Sequence, residues 1–302
     1  MAKDHDPQPT RVFTPGSPWF YVKLYAQPGT LDELLGHSLH PMLESVVRCG
    51  ICDKWFFIRY GDPHWHLRLR FHGRAERLYS GLLPNLHDLL TREMQQRRIW
   101  RVSLDTYEQE VERYGGARSM ALAEDYFCAD SAAMIRILHD RDGAARLDER
   151  WRWAMLGIHQ MLDDFAYTAE QKSQLLSHLY AGFSAEFRVN KGVIKALSDR
   201  FRCERPQLQE CLGGGAKGPT SVAEQAFAER TQSTRAIISE LRSIHDTPRQ
   251  RHILNKVVGS LIHMQVNRLL RCAHRKQELV MYCMLDKLYH SRLAQQQKRS
   301  AA

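Results

Sequence analysis

The segment KWFFIRYGDPHWHLRLRFHG, residues 54–73, predicts two β-strands joined by a turn. The first run, KWFFIRY (54–60), is rich in aromatic and β-branched residues, and the second, WHLRLRFHG (65–73), alternates apolar and polar residues. Between them the GDP triplet at 61–63 is a typical turn sequence. This hairpin is the centre from which the rest of the fold can be predicted.

Working outward, the flanking segments complete a β-α-β-β-α-β order. SPWFYVKLYA (17–26) predicts a strand, and the helical periodicity of LDELLGHSLHPMLESVV (31–47) predicts a helix with a kink at Pro41. Residues 75–98 predict a helix bent or restarted at a proline, and a fourth strand begins near residue 99. This order is the ferredoxin-like pattern, in which a four-stranded antiparallel sheet carries helices on one face.

From Arg118 onward the sequence predicts almost only helices, so the fold class is α+β. The glycine-rich GGGAKGP at 213–219 predicts a break among them. We expect a flexible tail at 1–16, a sheet region at 17–116 and a helical region at 117–302, with 17–295 forming one integrated domain. The predicted helices cover residues 118–139, 148–164, 168–188, 190–201, 204–212, 220–244, 248–272 and 274–295.

Composition and charge narrow the class of protein. The chain has 302 residues, 43% of them hydrophobic and 25% charged, which is ordinary for a globular protein. No apolar run approaches the roughly eighteen residues of a membrane span, and residues 1–18 lack the apolar stretch of a signal peptide. We therefore expect a cytoplasmic protein without a membrane partner. The net charge of +9 favours anionic partners, but it also fits solvated helix faces on a basic protein.

The sequence offers no convincing metal or cofactor motif. Cys49 and Cys52 form a C-x-x-C pair without a second pair at zinc spacing, and the seven cysteines fit reduced thiols. His64 and His66 stand two apart, which fits side chains on one strand face better than a metal site. No phosphate-binding glycine loop follows a strand. We assign no metal and no cofactor.

Three stretches could carry chemistry. Because successive strand side chains point to opposite faces, His66, Arg68 and Arg70 share one face, where guanidiniums match carboxylate oxygens. The alternative is a solvated sheet face. In TYEQEVERYGG (106–116), Glu110 and Arg113 precede two glycines that permit a sharp loop. The alternative there is an exposed ion pair at a strand end.

The third stretch is SLIHMQVNRLL (260–270), inside a predicted helix. His263 and Asn267 stand at i and i+4, with Gly259 one turn earlier, so the three lie on one narrow face. A histidine there could carry protons near neutral pH, or it could be a hydrogen-bonded core residue. None of the three stretches decides the function alone.

Together these stretches resemble a known family. WFFIRYGDPHWHLRLRFHG, DTYEQEVERYGG and HMQVNRL, in this order and at these separations, resemble the C-terminal domain of class I lantibiotic dehydratases. The resemblance spans roughly residues 17–295. In that family a separate, larger domain transfers glutamate from glutamyl-tRNA to Ser or Thr of a precursor peptide. The domain resembled here then eliminates the glutamate, leaving dehydroalanine or dehydrobutyrine.

The resemblance assigns roles to individual residues. The family's elimination residues match Arg68, Arg70, Glu110, Arg113 and His263, and Gln109 stands where relatives often carry Arg. It implies that the arginines hold the glutamyl carboxylates and that His263 transfers a proton, as acid or as base. His66, Glu110 and Asn267 are expected to bind substrate.

The resemblance also implies partners and leaves two rival functions. A free-standing elimination enzyme needs the precursor peptide and a separate glutamylating dehydratase, while direct tRNA binding is not expected and a homodimer is left open. Pyridine synthases of thiopeptide pathways resemble the same domain but join two dehydroalanines. A non-catalytic module that presents the precursor peptide, through a basic surface and an open sheet edge, is the rival from another class.

Overall fold

Six strands form two sheets in the computed structural model, which describes residues 10–140, 147–213 and 221–300. The larger sheet has the strand order β3-β4-β2-β5, and every neighbouring pair is antiparallel. The smaller one pairs β1 with β6. The strands are β1 (Val12–Phe13), β2 (Trp19–Tyr25), β3 (Lys54–Tyr60), β4 (His66–His72), β5 (Arg101–Leu104) and β6 (Tyr107–Glu108).

The two faces of the larger sheet differ, as the alternation in β4 predicts. Leu67, Leu69 and Phe71 are fully buried on one face, in the same hydrophobic core as the helices of the N-terminal region. On the other face, Arg70 lies opposite Tyr21 of β2 and Phe56 of β3. The apolar face therefore stabilises the sheet, and the second face is free to carry polar chemistry.

The N-terminal helices pass through π-helical segments just before their prolines. α1 (Pro28–Glu33) continues through a π-helical segment, Leu34–Leu39, into α2 (His40–Arg48). Likewise, α3 (Ala75–Arg77) and a second π-helical segment, Leu78–Leu82, lead into α4 (Leu83–Gln95). Each following helix has a proline in its first turn, and because proline has no N–H to donate, the backbone hydrogen-bond ladder is interrupted there. The sequence predicts these irregularities at the prolines, and the structure has them there.

The helical region contains seven α-helices within the described residues. The predicted break between residues 201 and 204 is wrong, because one helix runs through Pro206. Burial of Leu197, Phe201 and Leu208 along one side holds that helix together despite the proline. The predicted break at 213–219 lies almost wholly outside the described residues. The helices are α5 (Ala117–His139), α6 (Arg150–Asp164, preceded by a 3₁₀ turn at Leu147–Glu149), α7 (Ala169–Glu186), α8 (Lys191–Cys211), α9 (Val222–Ile244), α10 (Arg251–Leu269) and α11 (His274–Ser300).

The predicted flexible tail at 1–16 contains a strand in its described part. Phe13 pairs with Tyr107, and their rings stack with centroids 6.1 Å apart. The Arg11 carbonyl accepts a hydrogen bond of 2.9 Å from the backbone N–H of Gln109, and Arg11 forms an ion pair of 2.7 Å with Glu112. A two-residue strand has too little periodicity to be recognised in a sequence. Residues 1–9 lie outside the described part of the chain.

Buried ion pairs join the sheet to the helices. Asp130 of α5 forms ion pairs with Arg230 of α9 and Arg268 of α10, each at 2.9 Å. All three side chains are fully buried. Arg268 also donates through Nε to the carbonyl of Phe57 in β3, at 2.9 Å. Removing one partner of such a cluster leaves an uncompensated buried charge, which typically costs about 3 to 5 kcal/mol.

The hydropathy of the described helices bears on whether any of them could cross a membrane. Across the ranges 10–140, 147–213 and 221–300, no helix combines the length and the apolar character that a bilayer span requires.

Candidate functional site

A cavity of about 1020 Å³ lies between the polar face of the sheet, the loop that follows β5, and helix α10. We call it the cationic cavity. Candidate residues that are distant along the sequence meet in this cavity. Asn267 of α10 is one of them. Those lining the cavity are Arg68, Arg70, Glu110, Arg113 and His263.

Arg70 is buried beneath three aromatic rings. Its guanidinium carbon lies 4.5 Å from the ring centroid of Tyr21, 4.7 Å from that of Tyr107 and 5.4 Å from that of Phe56. Its Nε and Nη1 atoms are buried and have no hydrogen-bond partner among the residues that the structure describes. Burial lowers the pKa of Arg70, because a cation is poorly solvated there. A charged group held in this way is prepared for an anionic ligand.

Arg68 is positioned by its neighbours on the same strand face. Its guanidinium carbon lies 3.6 Å from the ring centroid of Tyr60, and Nε donates to Nε2 of His66 at 3.0 Å. The other ring nitrogen of His66 lies 2.8 Å from the carbonyl oxygen of His64, to which it donates. Burial lowers the pKa of His66, so the ring stays neutral and accepts from Arg68. His66, expected to bind substrate, is thus engaged in orienting Arg68.

Arg113 links the loop to helix α10. Its Nη1 donates to a carboxylate oxygen of Glu110 at 2.9 Å, and its Nε donates to the hydroxyl of Ser260 at 3.2 Å. Gly115 and Gly116, which follow, have φ values of +80° and +113°. A Cβ at Gly115 would lie 2.9 Å from Cγ2 of Ile253, so the predicted sharp loop requires glycine there.

His263 has a buried carboxylate partner that the sequence analysis missed. Its Nδ1 lies 3.0 Å from both carboxylate oxygens of Glu278, which is fully buried near the start of α11. The hydroxyl of Tyr282 donates to the same carboxylate at 2.9 Å, and burial raises the pKa of Tyr282 well above its ordinary value. Glu278 precedes the buried residues Met281 and Tyr282 by three and four positions. A carboxylate on that apolar side of a helix was the signal that could have found it.

Asn267, which is expected to bind substrate, lines the cavity and also holds the sheet through its amide. Its Oδ1 accepts from the backbone N–H of Arg59 at 2.8 Å, and its Nδ2 donates to the carbonyl of Arg59 at 2.8 Å. Arg59 belongs to β3, an edge strand of the sheet, so the amide satisfies backbone groups that would otherwise be unpaired. The structure therefore gives Asn267 a structural role.

Glu124 of α5 supports the ring over Arg70. The hydroxyl of Tyr107 donates to Glu124 at 2.6 Å, and Nε2 of Gln109 donates to the same oxygen at 2.7 Å. Burial raises the pKa of Glu124, while the two donors lower it. Gln109, where the sequence analysis noted a departure from the resembled family, thus ties the loop to α5.

Two guanidiniums of the cationic cavity have no ion-pair partner within the described residues. Lys23 pairs with Asp105 and Arg113 pairs with Glu110, but Arg68 and Arg70 have no carboxylate within ion-pair distance in the described part of the molecule. Two unpaired guanidiniums in a cavity can hold an anion through several donors. No group of three or more metal-ligating side chains occurs in the described ranges.

Comparison with known proteins identifies the family. The sequence model of the lantibiotic biosynthesis dehydratase C-terminal family matches residues 19–289, which is most of the chain. The chain belongs to this family. Every candidate residue lies inside the match, including Glu278. The family match therefore covers both the sheet region and the helical region.

Curated lantibiotic biosynthesis proteins resemble the chain over part of their own length. The subtilin biosynthesis protein SpaB of Bacillus subtilis is 26% identical over 291 residues, which cover 93% of this chain and 26% of SpaB. The nisin biosynthesis protein NisB of Lactococcus lactis subsp. lactis is 24% identical over 273 residues, covering 89% of this chain and 25% of NisB. The chain thus spans about a quarter of the length of these relatives.

Solved structures share the fold of this lantibiotic dehydratase family member. The tRNA-dependent lantibiotic dehydratase MibB from Microbispora sp. 107891 superimposes with a TM-score of 0.72 and 24% identity, covering 96% of this chain and 29% of MibB. The pyridine synthase TbtD from thiomuracin biosynthesis superimposes with a TM-score of 0.64 and 14% identity, covering 91% of this chain and 99% of TbtD. At these identities the likeness is one of fold.

Proposed function

We propose that this chain eliminates glutamate from glutamylated Ser or Thr residues of a precursor peptide, leaving dehydroalanine or dehydrobutyrine. The observation that carries the proposal is Arg70, a buried guanidinium with no carboxylate partner in the described residues, in one cavity with Arg68, Arg113 and His263. A buried unpaired charge is destabilising, so its presence calls for an anionic ligand.

The chemistry places negative charge at two points. A base takes the proton from Cα of the esterified residue, a double bond forms between Cα and Cβ, and the Cβ–O bond breaks. The electron pair of that bond leaves with the glutamate carboxylate. Preorganised cations near the enolate-like carbonyl and near the departing carboxylate stabilise such a transition state by several kcal/mol.

The arginines suit the leaving glutamate. A guanidinium stays charged and binds a carboxylate through two parallel N–H donors. Arg70 and Arg68 are free of carboxylate partners in the described chain, and Arg113 already holds Glu110. In the proposal Arg68 and Arg70 hold the glutamyl carboxylates, while Glu110 contacts the ammonium group of the glutamyl moiety and orients Arg113.

His263 suits the role of the base. Carboxylate oxygens accept hydrogen bonds, so the contact of Glu278 with Nδ1 places a proton on that nitrogen. The other nitrogen, Nε2, then carries the lone pair that can remove the Cα proton. A histidine has an ordinary pKa near the operating pH, which suits proton transfer.

The proposal includes partners and a fold assignment. The substrate is a ribosomally made precursor peptide in the cytoplasm, and a glutamylating activity supplies the ester. The strand order β3-β4-β2-β5, with a helix after β2 and another after β4, supports the ferredoxin-like assignment of the sheet region.

One rival enzyme activity is favoured by a specific likeness. The chain covers 99% of the pyridine synthase TbtD, whose fold it shares. The unpaired guanidiniums of Arg68 and Arg70 argue for elimination, because joining two dehydroalanines releases no glutamate that they would hold. The two activities differ in their substrates, which makes them separable by assay.

A synthetic peptide with one glutamylated Ser tests the proposal. Mass spectrometry should show the dehydrated peptide together with free glutamate, and Arg70→Met should abolish both. Arg74→Met is the matched control, because Arg74 follows the same strand, is exposed and pairs only with Glu76 in the described residues. Macrocycle formation from a dehydrated peptide would instead favour the pyridine synthase. Tight peptide binding without turnover would favour a non-catalytic module.

A further inference from the structure

A second cavity, of about 920 Å³, adjoins the cationic cavity. Helices α7, α10 and α11 form most of its lining, whereas strands of the sheet line the first, so we call it the helical cavity. A peptide whose reacting residue lies at His263 can extend from one cavity into the other. The residues that line both are Glu112, Arg113, His263 and Arg275.

The helical cavity has more cationic than anionic side chains. Both of its carboxylates already have partners, because Glu112 pairs with Arg11 at 2.7 Å and Glu278 contacts Nδ1 of His263 at 3.0 Å. An excess of positive charge in a cavity attracts an anionic ligand. The charged side chains are four cations against two carboxylates, namely Arg113, Arg251, Lys256, Arg275, Glu112 and Glu278.

Two of the four cations have no carboxylate partner. Arg113 and Arg275 each pair with a glutamate that lies outside this cavity. Arg251 and Lys256, by contrast, form no ion pair with any residue that the structure describes. The guanidinium carbon of Arg251 lies 5.4 Å from the ring centroid of Tyr167. A guanidinium held by an aromatic ring keeps the N–H donors at its edge for an anion.

One face of α10 connects these cations to the proposed base. Residues three and four apart share a helix face, so Lys256, Gly259, Ser260 and His263 lie along one side of α10. All four line the helical cavity. Gly259 has no side chain and that of Ser260 is short. No long side chain of this face therefore stands between Lys256 and His263.

The distance along this face corresponds to a short stretch of peptide. Lys256 and His263 are seven residues apart, which in a helix is about 10 Å. An extended peptide advances about 3.3 Å per residue, so about three residues span that distance. A peptide with its Cα–H at His263 therefore brings a side chain about three positions away close to Lys256.

Amide side chains in the same lining suit a peptide backbone. Asn255 accepts a hydrogen bond of 2.6 Å from the hydroxyl of Tyr167, which leaves its N–H₂ group for another acceptor. Gln171 and Gln174 of α7 also line the cavity. Amides both donate to carbonyl groups and accept from N–H groups, so the lining fits a peptide that carries an acidic side chain better than a small anion alone.

We propose that the helical cavity is a second carboxylate site, which binds an acidic side chain of the precursor peptide about three residues from the glutamylated Ser or Thr. Arg251 and Lys256 hold this carboxylate through charge-assisted hydrogen bonds. The inference rests on the proposed elimination activity and adds to it a determinant of sequence preference. The cationic cavity holds the glutamyl group, and the helical cavity recognises the peptide that carries it.

Glutamylated peptides with a single Glu at different positions test this site. The Glu replaces Ala at each position from two to four residues away, on either side of the ester. We expect one position, about three residues away, to raise kcat/KM by about tenfold, mainly through a lower KM. Gln at that position should behave like Ala, because the cations recognise the charge.

A charge reversal makes the result decisive. Lys256→Glu should reverse the preference, so that a peptide with Lys at the same position is processed faster than the Glu peptide. Lys195→Glu is the matched control, because Lys195 is an exposed lysine of α8 that lines neither cavity, and it should keep the wild-type ranking. Arg251→Met should lower the ratio of Glu to Gln peptide, and it carries the test if Lys256→Glu does not fold.

The outcomes separate this inference from the function beneath it. An enzyme that eliminates glutamate equally fast from Glu and Gln peptides at every position overturns the inference alone. Competitive inhibition by free glutamate that Lys256→Glu relieves, without any peptide preference, would show that the cavity takes the released product, and it overturns the inference too. An enzyme that releases no glutamate from any of the peptides overturns the proposed function and the inference with it.

Discussion

His263 and Glu278 meet in a symmetric contact, with Nδ1 of the imidazole 3.0 Å from each oxygen of the carboxylate. The two residues belong to consecutive helices, α10 and α11, and the carboxylate is fully buried. Arg275 approaches the same carboxylate at 3.9 Å, and Tyr282 donates to it. This buried carboxylate fixes the orientation of the imidazole and the nitrogen that carries its proton.

Replacing Glu278 by Gln should reduce elimination while leaving peptide binding intact. The amide can offer its N–H₂ group to Nδ1, which would place the imidazole proton on Nε2 and remove the base. We expect kcat to fall by about a hundredfold or more, with little change in KM. Glu186→Gln is the control, because Glu186 pairs with the same Arg275 but is not a partner of His263. An unchanged kcat in Glu278→Gln would contradict the assignment.

Arg70→Met should separate activity from stability. Met keeps most of the side-chain volume and removes an unpaired buried charge, so the free energy of unfolding should stay equal or rise by about 1 kcal/mol. Elimination should be lost. By contrast, Arg268→Met breaks a pair with Asp130 and should lower the unfolding free energy by about 3 to 5 kcal/mol. Urea unfolding of both variants measures this, and strong destabilisation by Arg70→Met would mean that the residue is structural.

Asn267→Ala should weaken the fold and spare the chemistry. The change leaves the N–H and carbonyl groups of Arg59 unpaired at an edge of the sheet, which should cost about 1 to 3 kcal/mol. The elimination rate of the folded fraction should remain close to wild type. Asn85→Ala serves as the exposed comparison and should change stability by about 0.5 kcal/mol or less. A large loss of kcat with normal stability would show instead that Asn267 contacts the substrate.

Acid should destabilise the protein through His274. Burial lowers the pKa of this histidine to about 4, below the value of about 6.5 expected in the unfolded chain. The unfolded state therefore binds the proton more readily, and stability is lost as the pH falls from about 6.5 toward about 4. At about pH 5 the loss should be about 2 kcal/mol from this group.

Urea unfolding at neutral and at mildly acidic pH measures the effect. His274→Gln should lose less stability between the two conditions than the wild type, whereas the exposed His290→Gln should behave like the wild type. Equal pH sensitivity in the wild type and His274→Gln would show that other groups are responsible.

Local patterns in the sequence were sufficient to predict the polar face of the sheet. Alternation in WHLRLRFHG put Arg68 and Arg70 on one face because a strand has a period of two, and the structure has them there. The helical periodicity likewise predicted α10 and the common face of Gly259 and His263. These predictions need only the geometry of one element.

What the sequence could not supply are contacts between elements. The three rings around Arg70 come from β2, β3 and β6, and nothing within any one of these segments predicts their convergence. Glu278 reaches His263 only because α11 turns back beside α10. The amide of Asn267 was expected to face substrate, but tertiary packing brought the edge strand within its reach. Such pairings depend on topology, which periodicity does not encode.

The small β1–β6 pairing has a practical consequence for dissecting the protein. The family match begins at Trp19, and a fragment cut at that boundary would lack Arg11 and Phe13. The fragment would keep all the proposed reacting groups. It would lack the Phe13 ring that stacks on Tyr107 and the Arg11 guanidinium that pairs with Glu112. Its sheet could fold normally while the aromatic enclosure of Arg70 relaxed. A fragment that begins at the family boundary could then be inactive although it contains every proposed reacting group, because it lacks the β1–β6 pairing.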